Sequence, residues 1–221
     1  MLREIKIMNI CISLVLIATL SLAADFGTKS ATLTHRYFTM GRGDKLVYRS
    51  YGFSFVIEIA LEAIAVEVID SVECLKIYES PDTYYWMAEG IAGDIWLLKK
   101  FDSEFNETTF YGKKNAALVI PKNLSVGAIL WQGEPEEEKV IATGITVPVL
   151  RTGFGPYYNC VKTKIDWGNG DFDYNYYAPD VGIVKFEFND DGGINGLELK
   201  EIKVAYPFKS MPWIPLLLLD E

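Results

Sequence analysis

From Asp44 onward, short apolar segments alternate with turn residues at intervals that suit strands better than helices. The sharpest case is Asp171–Tyr176, where Phe172, Tyr174 and Tyr176 alternate with Asp171, Asp173 and Asn175. A period of two puts three rings on one face of a strand and three polar groups on the other. Val181–Phe188 and Leu197–Tyr206 predict two more strands, joined across Asn189-Asp190-Asp191-Gly192-Gly193, whose residue types tolerate the positive φ of a hairpin turn. Apolar positions are odd at Leu197 and Leu199 but even at Ile202, Val204 and Tyr206, which predicts a bulge near Lys200 and Glu201. Phe53–Asp70 is readable in two ways. Glu58 and Glu62 are spaced as on a helix face, yet the odd positions from Phe53 to Ala65 are all apolar, and a strand is the reading adopted. Lys45–Arg49, Val72–Tyr78 and Tyr158–Ile165 add further strands. The pattern predicts a mostly β single domain on a strongly bent antiparallel sheet, open and barrel-like, with few short helices.

Both ends of the chain depart from this pattern. Arg3 and Lys6 precede an uncharged apolar run, Ile7–Leu22, that closes on the small residues Ser21, Ala23 and Ala24. That is the layout of a cleavable signal peptide over residues 1–24, and the run is shorter than the ~20 residues a membrane-spanning helix needs. The expected product is a domain over 25–221 without a transmembrane span, exported to the periplasm or the extracellular space. Residues 207–221 form an apolar C-terminal tail that contains Met211-Pro212-Trp213-Ile214-Pro215 and four leucines. Its prolines prevent a continuous helix. The tail either packs back onto the domain or binds a partner.

Composition narrows the functions. The formal net charge is −9, and loss of residues 1–24, which hold Arg3, Glu4 and Lys6, makes it more negative. An acidic surface of this kind repels phosphate backbones, so no nucleic-acid partner is expected. The domain retains two cysteines, Cys74 and Cys160. In an oxidising compartment they predict one disulfide, closing a loop of about 86 residues and worth on the order of 4 kcal/mol; two separately buried thiols are the alternative.

Phrases spread along the chain resemble those of a widespread family of uncharacterised secreted bacterial proteins. They are Tyr37-Phe38-Thr39-Met40 before Gly43, Val72-Glu73-Cys74, Gly93-Asp94-Ile95-Trp96, Thr146-Val147-Pro148, Asn159-Cys160-Val161-Lys162-Thr163-Lys164 and, most specific, Tyr176-Tyr177-Ala178-Pro179-Asp180-Val181-Gly182-Ile183-Val184. Asp180 stands where that family has glycine, and the stretch around Met87-Ala88-Glu89-Gly90 lacks its Gln-Asp pair. The resemblance implies an exported β-rich domain and carries no activity with it.

Catalytic and metal motifs are sparse. His35 is the single histidine and has no nucleophile elbow, so a Ser-His-Asp arrangement lacks support. Asp171, Asp173 and Asn175 match the start of a calcium loop, but Tyr176 occupies the glycine position and Gly182 that of the bidentate glutamate. No cofactor, metal or catalytic residue is assigned. Arg42-Gly43-Asp44 is read as a turn, and Glu134–Glu138 as a solvated acidic loop. Aromatic residues remain. Tyr84, Trp86 and Trp96 flank the Gly90–Gly93 turn, while Tyr176 and Tyr177 precede Pro179, and these five are the candidate ligand groove. The expected function is a non-catalytic binding or envelope-associated module that presents rings to an apolar or sugar-like ligand or to an envelope protein. The alternative is a carboxylate-dependent, glycosidase-like hydrolase.

Overall fold

The structure is a computed structural model that describes residues 25–26, 32–103, 106–132, 137–167, 170–190 and 193–205. The expected signal peptide over residues 1–24, the centre of the predicted hairpin turn at Asp191-Gly192 and the residues from 206 therefore lie outside the described residues. Those that are described contain strands and no helix. β1 (Leu33–His35) and β2 (Phe38–Met40) form a small hairpin. One meander runs through β3 (Lys45–Tyr51), β4 (Glu58–Ile69), β5 (Val72–Glu79), β6 (Thr83–Glu89) and β7 (Ile95–Asp102). The short strands β8 (Glu107–Phe110) and β9 (Ala117–Ile120) share the free edge of β7. A second meander runs through β10 (Ile129–Gln132), β11 (Glu137–Val147), β12 (Tyr157–Asp166), β13 (Phe172–Ala178), β14 (Gly182–Asp190) and β15 (Gly193–Lys203). Pairing of β15 with β3 fuses the two meanders into one antiparallel sheet.

The sheet curls on itself. Ile77 of β5 and Val161 of β12 stand far apart in strand order, yet both belong to one buried cluster with Tyr48, Leu130, Val140, Val184 and Leu199. The hairpin of β1 and β2 feeds Leu33, Phe38 and Met40 into the same cluster, so it fills the hollow of the bent sheet. β9 and β10 approach each other without pairing, and the sheet stays open along that seam.

Several local expectations are met. The register between β15 and β3 shifts between Leu199 and Glu201, at the predicted bulge. Within Phe53–Asp70, residues 53–57 lie outside any strand, while the strand reading holds for the 12-residue β4, Glu58–Ile69. Its odd positions Ile59, Leu61 and Ala63 join the inner cluster, and after a register shift beyond Ala63 the side chains of Ile64, Val66 and Val68 are exposed. In the Arg42-Gly43-Asp44 turn, Asp44 is buried; its carboxylate accepts the Gly41 N–H at 2.7 Å and the Ala205 N–H at 2.9 Å.

Two expectations are corrected. Cys74 and Cys160 form no bond: both thiols are free. Cys160 lies in the inner cluster, whereas Cys74 lies in a second cluster on the opposite face, with Phe26, Trp86, Trp96 and Leu98. Burial pushes the Cys74 thiol up to about 12 and raises that of Cys160, so neither is a ready nucleophile. The acidic segment is also not wholly a loop, because Glu137 and Glu138 open β11.

Candidate functional site

A cleft of about 690 Å³ opens at the end of the sheet where β12 begins, β13 turns into β14 and β15 ends. Phe154 and Pro156 line it from the β11–β12 connection, Tyr157 and Tyr158 from the start of β12, Pro179, Asp180 and Val181 from the β13–β14 turn, Arg36 from the β1–β2 turn and Ile202 from β15. Its size falls in the range of sites for small organic ligands. Tyr158 is 63 % exposed, whereas its neighbour Tyr157 packs partly against the inner cluster, as alternation along a strand requires.

The backbone around the cleft is held from several sides. Asp180 adopts φ 63°, in the left-handed region where glycine is easiest and aspartate is among the more tolerant alternatives. This explains how Asp180 stands in a glycine position. Its N–H donates to the Arg36 carbonyl at 2.6 Å, which ties the β13–β14 turn to the small hairpin. The Tyr37 hydroxyl donates to the Asn159 carbonyl at 3.1 Å and ties the same hairpin to β12. The connection between β11 and β12 is fixed to β15, where Arg151 N–H donates to Glu198 at 2.7 Å and the Thr152 hydroxyl donates to the Leu199 carbonyl. Pieces of three phrases quoted above, at 37–40, 159–164 and 176–184, thus meet around one cleft.

The five rings expected to form a groove are not gathered. Tyr84, Trp86 and Trp96 belong to the second cluster; Trp86 and Trp96 are buried, and Phe26 covers Trp96 in an edge-to-face contact at 6.4 Å. Trp86 donates its indole N–H to Glu67 at 2.6 Å, and Lys76 and Lys99 lie over its ring at 4.8 and 4.2 Å. Tyr176 sits on the outer face of β13 among Lys162, Lys185 and Glu187, and its hydroxyl donates to Glu187. Next to it Tyr51 lies against Gly196, its pairing partner across β3 and β15. A Cβ at Gly196 would stand 2.6 Å from the Tyr51 hydroxyl and 2.1 Å from the Phe186 carbonyl, so only glycine fits. Tyr177 points inward, is buried, and lines a separate chamber of about 160 Å³ with Tyr85, Met87 and Glu79.

The acidic segment conceals a polar cluster. One carboxylate oxygen of Glu138 accepts hydrogen bonds from Thr163 at 2.6 Å, Tyr177 at 2.8 Å and Asn175 at 3.0 Å, and all three donors are buried. Burial, followed by the facing Glu138, holds the Tyr177 phenol well above its ordinary value, so it remains a donor. Asn175, a candidate calcium ligand by spacing, is spent in this network, and Asp173 accepts the Trp167 indole N–H at 2.8 Å. Among the described residues no group of His, Cys, Asp and Glu side chains is arranged to hold a metal ion.

Fold and cleft together define an open, strongly bent antiparallel β domain with a ring-lined opening at one end of its sheet. Two solved structures resemble it. One is a candidate exported protein with YmcC-like fold from Bacteroides fragilis, at 15% identity and TM-score 0.41 over 77% of this chain and 100% of that one. The other is a candidate lipoprotein from Parabacteroides distasonis, at 14% identity and TM-score 0.39 over 79% of this chain and 100% of that one. No family model and no curated protein matches the sequence. Among the described residues no helix is long and apolar enough to cross a membrane.

Proposed function

We propose that this chain is a non-catalytic binding module of the bacterial envelope, and that its ligand, apolar or sugar-like, enters the cleft between the β11–β12 connection and the β13–β14 turn. The observation that carries the reading is the lining: three rings and two prolines face the opening, with Arg36 and Asp180 as the charged groups. Sites of this kind bind by apolar contact and use a few polar groups for orientation. Asp180 is the single carboxylate among the lining residues, which leaves no partner for the paired-carboxylate chemistry of a glycosidase.

The test is a fluorescence titration with 8-anilinonaphthalene-1-sulfonate, followed by displacement with a panel of acyl chains and oligosaccharides. The variant Tyr158→Ala is expected to lose at least tenfold in affinity for the dye while keeping the wild-type unfolding midpoint within a few degrees, because Tyr158 is mostly exposed. Unchanged affinity in this folded variant would contradict the reading.

A further inference from the structure

The small chamber on the inner face of the sheet is separate from the cleft and shares no lining residue with it. Phe38, Ile77, Ile120 and Tyr177 form its buried floor, and the partly exposed Leu61, Tyr85, Met87, Ile183 and Phe186 form its rim. Walls this apolar hold water poorly, and a cavity of about 150 Å³ with such walls takes up one molecule the size of benzene. At about 160 Å³ the chamber has room for a group of roughly six carbons.

A single charged side chain interrupts this apolar lining. Leu75 and Ile77 of β5 point into the inner cluster, so Glu79 is at the next inward position, where strand alternation calls for a third apolar residue. It lines the chamber beside Leu61, its partner across β4 and β5. Its Oε2 accepts the Tyr85 hydroxyl at 2.6 Å, and among the described residues no lysine or arginine forms an ion pair with it. Lys100, over the Tyr85 ring at 6.0 Å, is paired with Asp102 at 3.2 Å. The Glu79 charge is also felt inside the sheet: burial first, then Glu79, holds the phenol of Tyr48 above its ordinary value. A carboxylate that faces a low-dielectric hollow attracts a cation more strongly than one in open water. An ammonium would satisfy it through a charge-assisted hydrogen bond, with the neighbouring Tyr85 ring adding to the attraction.

We propose that the chamber is a second binding site, selective for a small primary amine. The ammonium bonds to Glu79, and an apolar body of about six carbons fills the space between Met87, Ile120, Ile183 and Phe186. This site stands independently of the ligand assigned to the cleft.

Three probes with one carbon skeleton test it on the full chain at neutral pH: cyclohexylammonium, cyclohexanol and cyclohexanecarboxylate. Methyl 1H–13C spectra follow Met87, Ile120 and Ile183 through each titration. The amine is expected to shift these methyls and to bind at least tenfold more tightly than the alcohol, with the carboxylate weaker than both. Glu79→Gln, which keeps an acceptor for Tyr85, is expected to lower amine affinity to that of the alcohol and to leave alcohol affinity within twofold of wild type. No shift at the three methyls, equal affinity for amine and alcohol in the wild type, or amine affinity unchanged in Glu79→Gln overturns the proposal. Saturating amine is expected to leave 8-anilinonaphthalene-1-sulfonate binding unaltered, since the dye is too large for the chamber. Displacement of the dye without methyl shifts would put the amine in the cleft and overturn its assignment to the chamber.

Discussion

His35 shows how one side chain ties sequence to stability. It is buried; its Nδ1 accepts the Tyr37 N–H at 3.1 Å and its Nε2 lies 3.2 Å from the Pro121 carbonyl. Those partners require a neutral ring with the hydrogen on Nε2, since a second hydrogen on Nδ1 would face the Tyr37 N–H. Burial is the largest influence and lowers its pKa, outweighing the carbonyls and the more distant Glu89 and Asp94, which favour the charged form. The unfolded chain therefore takes up a proton near pH 6.5 that the folded chain refuses, and stability is lost as pH falls below that value. Because the chain has a single histidine, this slope is expected to stand out between pH 7.5 and 5.5. Urea midpoints measured across that window should decline in the wild type and stay nearly level in His35→Gln; a level wild-type profile would contradict the assignment.

At the scale of strands, Glu138 joins three of them, because its donors Thr163, Asn175 and Tyr177 lie on β12 and β13 while Glu138 itself is on β11. Removing the carboxylate leaves buried donors unpaired, at about 1–3 kcal/mol each. Glu138→Ala is expected to cost about 3 kcal/mol or more, and Tyr177→Phe, which removes one hydroxyl and leaves the other bonds, about 1 kcal/mol. Equal midpoints for Glu138→Ala and wild type in urea unfolding would show that the network does not hold the strands. Neither the cluster nor its importance was legible in the sequence, where Glu138 closes a run of acidic residues that reads as solvated. The strands themselves were legible wherever period two was strict. In β13 the alternation gives two faces correctly, with Phe172 and Tyr174 in contact on one at 5.3 Å, and says nothing of which face is core. The ring face carries Lys162 and Lys164 over its aromatics, while the polar face supplies the buried Asn175. Period two gives faces and not burial, which depends on how far the sheet bends. The same limit explains the candidate groove: Trp96 lies under Phe26, a covering contact that no local pattern announces. A disulfide inferred from cysteine count likewise fails because Cys74 and Cys160 point to opposite faces.

For the whole molecule, fusing the two meanders through β15 and β3 leaves the seam between β9 and β10 open and gathers strand ends, turns and the small hairpin around the cleft. Turn residues such as Phe154 and Pro179 enter the site only through that global curvature, so their grouping lay beyond reach of spacing along the chain. Amide chemical-shift mapping with 15N-labelled protein and 8-anilinonaphthalene-1-sulfonate tests the location of the site most directly. Perturbations are expected to concentrate on residues 152–159, 178–181 and Ile202, with β6 and β7 unmoved. A map centred instead on Tyr84, Trp86 and Trp96, or on the inner chamber around Tyr177, would contradict the assignment of the cleft as the binding site.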